Sequence, residues 1–122
     1  MFKKKGMLVL IFSYMVIFSA VSLKAQDVSK VNPKNYKVVL DNEKVRVIDN
    51  SSNAGDKSAW HSHPDMLIYV LAGGTVKSTT KDGKSKTIEF KKGETVWMDA
   101  TTHETENIGK TKLHLLLVEL KK

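Results

Sequence analysis

The sequence contains no cysteine among its 122 residues. This absence excludes disulfide bonds, thiolate metal ligands and a lipid-modified N-terminal cysteine. A domain without disulfides depends on its hydrophobic core, and an apolar fraction of 41% is sufficient to form one. The length is that of a single domain, and no internal repeat or linker divides the chain.

The chain also has little excess charge once its first 25 residues are set aside. The net charge is +7, but four of the 20 basic residues and none of the 13 acidic residues lie in that stretch, which leaves +3 for the remainder. The remaining lysines are scattered, as is usual for a solvated surface. A charge this small does not indicate a nucleic-acid partner, so none is expected.

Residues 1–25 have the pattern of a secretory signal peptide. Three lysines open the chain, residues 7–23 carry no charge, and the small Ala25 marks the expected cleavage point. The prediction is a secreted or periplasmic protein with no stable membrane association after cleavage. An uncleaved N-terminal membrane anchor is the alternative, although a run of 17 uncharged residues that includes Ser13, Ser19 and Ser22 is at the short end of the roughly 17–25 apolar residues that span a bilayer.

The rest of the chain shows short segments typical of β-strands. Residues 26–35 are polar and show no periodicity, which predicts a leader or an edge segment, and residues 49–57 predict a loop. In the segment 44–48, Val45 and Val47 alternate with charged residues. A turn at Asp82-Gly83 joins two strands into a hairpin. The predicted strands are 36–40, 44–48, 66–72, 75–80, 84–90, 94–99 and 113–120. Because no helical periodicity appears, residues 36–122 predict one all-β sandwich or barrel.

Three histidines have a spacing that suits a metal site. His61 and His63 are separated by one residue, so on an extended strand both side chains point to the same face. His103 follows 40 residues later and can close the site from a neighbouring strand. Three neutral imidazoles suit Fe, Mn, Zn, Ni or Cu and leave coordination positions open. A surface location, common for such histidine pairs, is the alternative.

The spacing of these histidines and of several glycines resembles the two conserved motifs of the cupin superfamily. The residues that carry the resemblance are Gly55, His61, His63 and Gly74 for the first motif, and Gly93, His103 and Asn107 for the second. The sequence is most similar to small, single-domain exported cupins. The resemblance implies a jelly-roll β-barrel that holds a divalent transition metal between the two motifs, with His61, His63 and His103 as ligands.

The sequence departs from the first motif at one position that matters for the metal. The family supplies a glutamate four or five residues after the second histidine, and Leu67 and Ile68 stand there instead. Asp65 is a candidate replacement, weighed against a capping role at the rim. Glu104 and Glu106 are expected to be solvated. The loss of a carboxylate leaves the site more positive and favours an anionic ligand.

The remaining candidates are interpreted mainly as structural. Trp97 is expected in the core, His114 as a hydrogen-bonded interior or edge residue, and Asn107 at a turn or strand end. Tyr69 is a candidate proton donor, or alternatively places its hydroxyl at the end of the barrel. Residues expected to line the pocket or the core are Trp60, Met66 and Met98.

The sequence therefore predicts an exported protein that binds a metal and a small molecule, and it leaves open whether the chain is an enzyme. A metal-dependent dioxygenase or isomerase is one hypothesis, and a non-catalytic barrel that binds a small ligand or a metal is the alternative. A metal-free barrel whose histidines respond to pH is a third. Monomer and homodimer both remain open.

Overall fold

The computed structural model describes residues 26–122, so the predicted signal peptide and its cleavage point lie outside the described residues. The elements are β1 (Gln26–Asp27), α1 (Val28–Val31), β2 (Tyr36–Asp41), β3 (Val45–Ser52), β4 (Lys57–His63), β5 (Met66–Ala72), β6 (Gly74–Thr80), β7 (Ser85–Phe90), β8 (Thr95–Met98), β9 (Thr101–Asn107) and β10 (Leu113–Leu120). Within residues 26–122, no helix is long and apolar enough to cross a membrane.

The strands form two five-stranded sheets that pack face to face. Sheet A has the order β1-β4-β9-β6-β7, and sheet B has the order β2-β3-β10-β5-β8. Every neighbouring pair is antiparallel except β1 and β4, which are parallel. The all-β prediction is confirmed. Across residues 26–122 the two sheets are not joined into one hydrogen-bonded cylinder, so the arrangement is a sandwich rather than a closed barrel.

Strands β5 and β10 show how the core is formed. Their side chains alternate between a buried and a more exposed face, as expected for an antiparallel sheet with one solvated side. Although residues 66–72 form a continuous apolar run, only every second one is buried. The core consists of Val28, Tyr36, Ile48, Met66, Ile68, Val70, Val76, Phe90, Leu113, Leu115 and Leu117.

The N-terminal segment packs at the edge of sheet A. Residues 26–35 were expected to form a leader or an edge segment, and β1 is the edge strand that pairs with β4, with α1 directly after it. Val28 is completely buried, and the Asp27 side chain accepts a hydrogen bond from the Ser29 backbone N–H at 2.9 Å, which caps α1. A single buried valine in a polar stretch gives no periodicity, which is why the sequence did not reveal this packing.

The loops differ from the prediction mainly in length. Strand β3 continues to Ser52 and β4 begins at Lys57, so the predicted loop 49–57 shortens to residues 53–56. Strand β9 was not predicted, because its Thr- and Glu-rich sequence lacks an apolar alternation. The predicted Asp82-Gly83 turn is present, and Gly83 has φ +78°, which glycine adopts without strain.

Candidate metal centre

Strands β4 and β9 bring the three predicted histidines together. His61 and His103 are direct register partners, and His63 follows two residues along on the same face of β4. The pair lies at the C-terminal end of β4. Ring centroids are 4.7 Å apart for His61 and His103, 4.8 Å for His61 and His63, and 5.5 Å for His63 and His103. One nitrogen from each ring lies within 4.8 Å of the other two.

Each imidazole is held by a hydrogen bond at Nδ1. The partners are the Ala59 carbonyl oxygen for His61 at 2.6 Å, the Glu119 carboxylate for His63 at 2.7 Å and the Ser78 hydroxyl for His103 at 2.8 Å. The carbonyl and carboxylate can only accept, so Nδ1 of His61 and His63 carries the proton and donates. In a neutral ring this arrangement leaves the lone pair of Nε2 free, as a metal ligand requires.

The free nitrogens have no other partner among the described residues. Nε2 of His61 and Nε2 of His103 are buried and make no hydrogen bond within residues 26–122. A buried polar atom without a partner normally costs about 1–3 kcal/mol. Two such atoms beside a third imidazole fit a divalent cation, which would accept all three lone pairs at once.

Burial keeps His61 and His103 in the form that binds metals. Burial lowers the pKa of His61 to about 4, and the nearby His63 contributes to the shift. Burial also lowers the pKa of His103 to about 3, with further contributions from His61 and His63. At neutral pH both rings are uncharged, so a metal does not have to displace a proton from them.

Glu119 is a functional residue that the sequence analysis missed. It is 2% exposed, its Oε2 accepts from His63, and its Oε1 accepts from Arg46 Nε at 2.8 Å. In β10 it has the same parity as the buried Leu113, Leu115 and Leu117. A lone carboxylate at a buried position of an apolar strand was the pattern that could have revealed it.

The position of Glu119 bears on the missing glutamate. Its register partner in β5 is Met66, one position before Leu67 and two before Ile68. The carboxylate therefore enters from β10, near the place where the motif would supply it from β5. It contacts the Nδ1 side of His63, so it lies behind the ring and outside the three-histidine cluster.

A small cavity lies beside the histidines between the two sheets. Its volume is about 50 Å³, enough for roughly three or four water molecules at ~10–15 Å³ each. Polar lining side chains include Tyr36, Asn50 and Ser78, next to His63 and His103, while the remainder is mainly apolar. The ring of Tyr36, whose centroid lies 5.8 Å from that of His61, is buried, and burial raises the pKa of its hydroxyl.

Three carboxylate candidates and one tyrosine candidate lie away from the centre. The Asp65 carboxylate accepts from the Ala100 backbone N–H at 2.8 Å, which is the capping role considered for it. Glu104 is exposed and Glu106 is half-buried on the outer side of β9. Tyr69 is 42% exposed on the face of β5 opposite Met66 and Ile68. Tyr69 therefore does not reach the cavity, and its position does not support the alternative in which it donates a proton there.

The structural candidates divide between core and surface. The expectation that Trp97 is in the core is wrong, because it is 51% exposed and donates from Nε1 to Asp99 at 2.9 Å. His114 lies on the outer face of β10 and pairs with Asp49 at 3.0 Å, apart from the other histidines. Met66 is buried, and Met98 packs against the core, as predicted, while Trp60 is partly buried.

A family model for the cupin domain matches residues 52–119, more than half of the chain. The chain belongs to the cupin family. No curated protein matches this cupin. Among solved structures, a cupin domain from Bordetella pertussis Tohama I is similar to it with 25% identity and a TM-score of 0.65, covering 71% of this chain and 92% of that one.

Two further structures show the same fold at lower identity. An RmlC-like cupin family protein with a double-stranded β-helix fold, from Methanocaldococcus jannaschii, is 16% identical with a TM-score of 0.56, over 70% of this chain and 77% of that one. A conserved protein with a double-stranded β-helix domain from Klebsiella pneumoniae subsp. pneumoniae is 17% identical with a TM-score of 0.56, over 78% and 87%. These likenesses concern the fold alone.

Proposed function

We propose that this cupin binds one divalent transition metal through Nε2 of His61, His63 and His103. The observation that carries the proposal is the pair of buried, unpartnered Nε2 atoms on His61 and His103. Each Nδ1 is already engaged, so the three rings are oriented for a ligand at the other nitrogen. The donor set suits Fe, Mn, Zn, Ni or Cu.

The metal would supply Lewis acidity or, for iron and copper, dioxygen chemistry, because three protein ligands leave positions open. The protein's own contribution is a small, largely apolar cavity of about 50 Å³, which restricts the ligand to a molecule of a few heavy atoms. Tyr36 provides a buried hydroxyl in its lining, hydrogen-bonded to Ser58 at 3.1 Å. We propose that this cupin is a metal-dependent enzyme of dioxygenase or isomerase type whose substrate binds in this cavity.

The second candidate function is non-catalytic binding of a small ligand or the metal itself. It is favoured by the small volume of the cavity. It is also favoured by Glu119, whose carboxylate already accepts hydrogen bonds from His63 and Arg46. A carboxylate held by two partners is a poor proton carrier. Retention of an unchanged small molecule through purification would favour this candidate over the enzyme.

The metal site is tested by elemental analysis of the purified protein beside a His61→Ala/His63→Ala variant. We expect about one equivalent of a single transition metal in the wild type and none in the double variant. His114→Ala is the matched control, since His114 lies on the outer face of β10 and should leave the metal content unchanged. Absence of metal from the wild type, even after supply of each candidate ion, would contradict the proposal.

We also propose that the partner of this cupin is a second copy of the chain, paired through the outer face of sheet B. Apolar residues form one row across all five strands, as the register shows. The row is Leu40, Val47, Val118, Leu67 and Trp97. A continuous exposed apolar face of this kind is typical of an interface.

A further inference from the structure

A chain of charged side chains connects the N-terminal segment to the candidate metal centre. Asp27 pairs with Arg46 Nη1, and Arg46 contacts Oε1 of Glu119 through Nε at 2.8 Å and Nη2 at 2.7 Å. Glu119 then accepts from His63 Nδ1 through Oε2 at 2.7 Å. The four residues come from β1, β3, β10 and β4, so both sheets contribute.

We propose that Asp27 and Arg46 are positioning residues that set the metal affinity of the centre through Glu119 and His63. This inference rests on the proposed metal-binding function and extends it to the N-terminal segment. Asp27 and Arg46 do not touch the metal position. They fix the carboxylate that orients one ligand and places negative charge behind it.

Charge compensation explains why Glu119 requires Arg46. A carboxylate that is 2% exposed is stable only with a close counter-charge and hydrogen bonds to both oxygens. Arg46 meets this need at Oε1, because its planar guanidinium directs two nitrogens to the same oxygen. Oε2 is thereby left to His63 alone, which holds the ring with Nε2 facing the other two histidines.

Asp27 completes the arrangement from the other side of Arg46. The third guanidinium nitrogen, Nη1, faces the Asp27 carboxylate, so the position of Arg46 is fixed at both ends. The three charged groups together carry one net negative charge. That charge is separated from the metal position by the imidazole ring of His63. It compensates in part for the family's glutamate, which is replaced by Leu67 and Ile68 in this sequence.

The N-terminal segment also contacts the centre through its backbone. Gln26 pairs with His61 and Asp27 with Ser62 in the parallel ladder between β1 and β4. The same short segment therefore supports His61 directly and His63 through the charged chain. Because Val28 anchors it with a completely buried side chain, the segment is held in one place relative to β4.

The test is the affinity for Co²⁺, measured by competition with a chromophoric chelator, together with the visible absorption spectrum of the bound ion. For Glu119→Gln, which keeps the shape and removes the charge, we expect affinity about 10- to 100-fold weaker and a shifted spectrum. For Asp27→Asn we expect a smaller loss of affinity, about threefold to tenfold, because Asp27 acts on His63 only through Arg46 and Glu119. Glu106→Gln, on the outer side of β9, is the matched control and should bind like the wild type.

The outcomes separate this inference from the proposed function. If the wild type does not bind Co²⁺, the proposed metal site itself is wrong. If the wild type binds and Glu119→Gln or Asp27→Asn retains both its affinity and its spectrum, the charged chain is purely structural and the inference is overturned. Asp27 is 28% exposed at its side chain, so Asp27→Asn gives a decisive result even if Glu119→Gln fails to fold.

Discussion

Asn107 shows how one buried amide holds together the loops at one end of the domain. Its Nδ2 donates to the carbonyl oxygens of Ser52 and Thr111, each at 3.1 Å, and its Oδ1 accepts from the Gly109 backbone N–H at 3.0 Å. The side chain thus joins the end of β3 to the loop between β9 and β10. The sequence placed Asn107 at a turn or strand end, and the structure confirms this role.

Replacing Asn107 by alanine should reduce the free energy of unfolding by about 2–4 kcal/mol, because several buried backbone groups lose their partner at a cost of about 1–3 kcal/mol each. Chemical denaturation measures the change. Asn53→Ala, at an exposed loop position, should change stability by less than about 0.5 kcal/mol. Equal stability of the two variants would show that the Asn107 amide contributes little.

At the scale of elements, the Asp27 carboxylate contributes to holding the N-terminal segment in place. Burial alone would raise the pKa of Asp27, but hydrogen bonds from Arg46 and Ser29 and the charge of Arg46 lower it to about 2, against 3.8 for the free side chain. A carboxyl whose pKa is depressed by folding stabilises the folded state when it is ionised. This contribution is fully present above about pH 3.8 and is lost as the pH falls through about 2.

Asp27→Asn should therefore remove a pH-dependent part of the stability. The free energy of unfolding of the wild type should exceed that of the variant most above about pH 4, and the difference should shrink as the pH falls towards about 2. Urea denaturation of both proteins across this range measures it. Asp99→Asn removes an exposed carboxylate and serves as the comparison. Parallel curves for wild type and Asp27→Asn would mean that the Arg46 pair does not stabilise the segment.

At the scale of the whole molecule, sheet B has apolar residues on both of its faces. Its inner face forms much of the core, while its outer face carries the row that includes Leu67 and Trp97, which are 38% and 51% exposed. Five strands about 4.8 Å apart and four to eight residues long give a face on the order of 500 Å². That is comparable to the ~800 Å² per partner of a typical stable interface.

A charge placed in this row should separate the proposed dimer. We expect the wild type to elute as a dimer in size-exclusion chromatography with light scattering, and Trp97→Lys to elute as a monomer, because a lysine cannot be buried there without a partner. Thr79→Lys, on the outer face of sheet A, should remain dimeric. A monomeric wild type at high concentration would contradict the proposal.

Much of this protein is determined by local sequence patterns. Alternating or apolar segments and the Asp82-Gly83 turn predict the strands, because side chains on a strand alternate between faces and glycine tolerates positive φ. The spacing of His61 and His63 predicts a shared face for the same reason. The resemblance to cupins predicted His103 as the third member of the cluster, and the structure places all three rings together.

The remainder depended on contacts between residues distant in the chain. Local alternation does not reveal which face of a strand is buried, so Trp97 was wrongly expected in the core, and the inward position of Arg46 was missed. Glu119 lies 56 residues from His63 and 73 from Arg46. The pairing of β10 with β3 places Glu119 beside Arg46, and the packing of sheet B against sheet A brings it to His63. Tertiary structure alone decided this, since a buried charge is stable only where its partners have already been assembled.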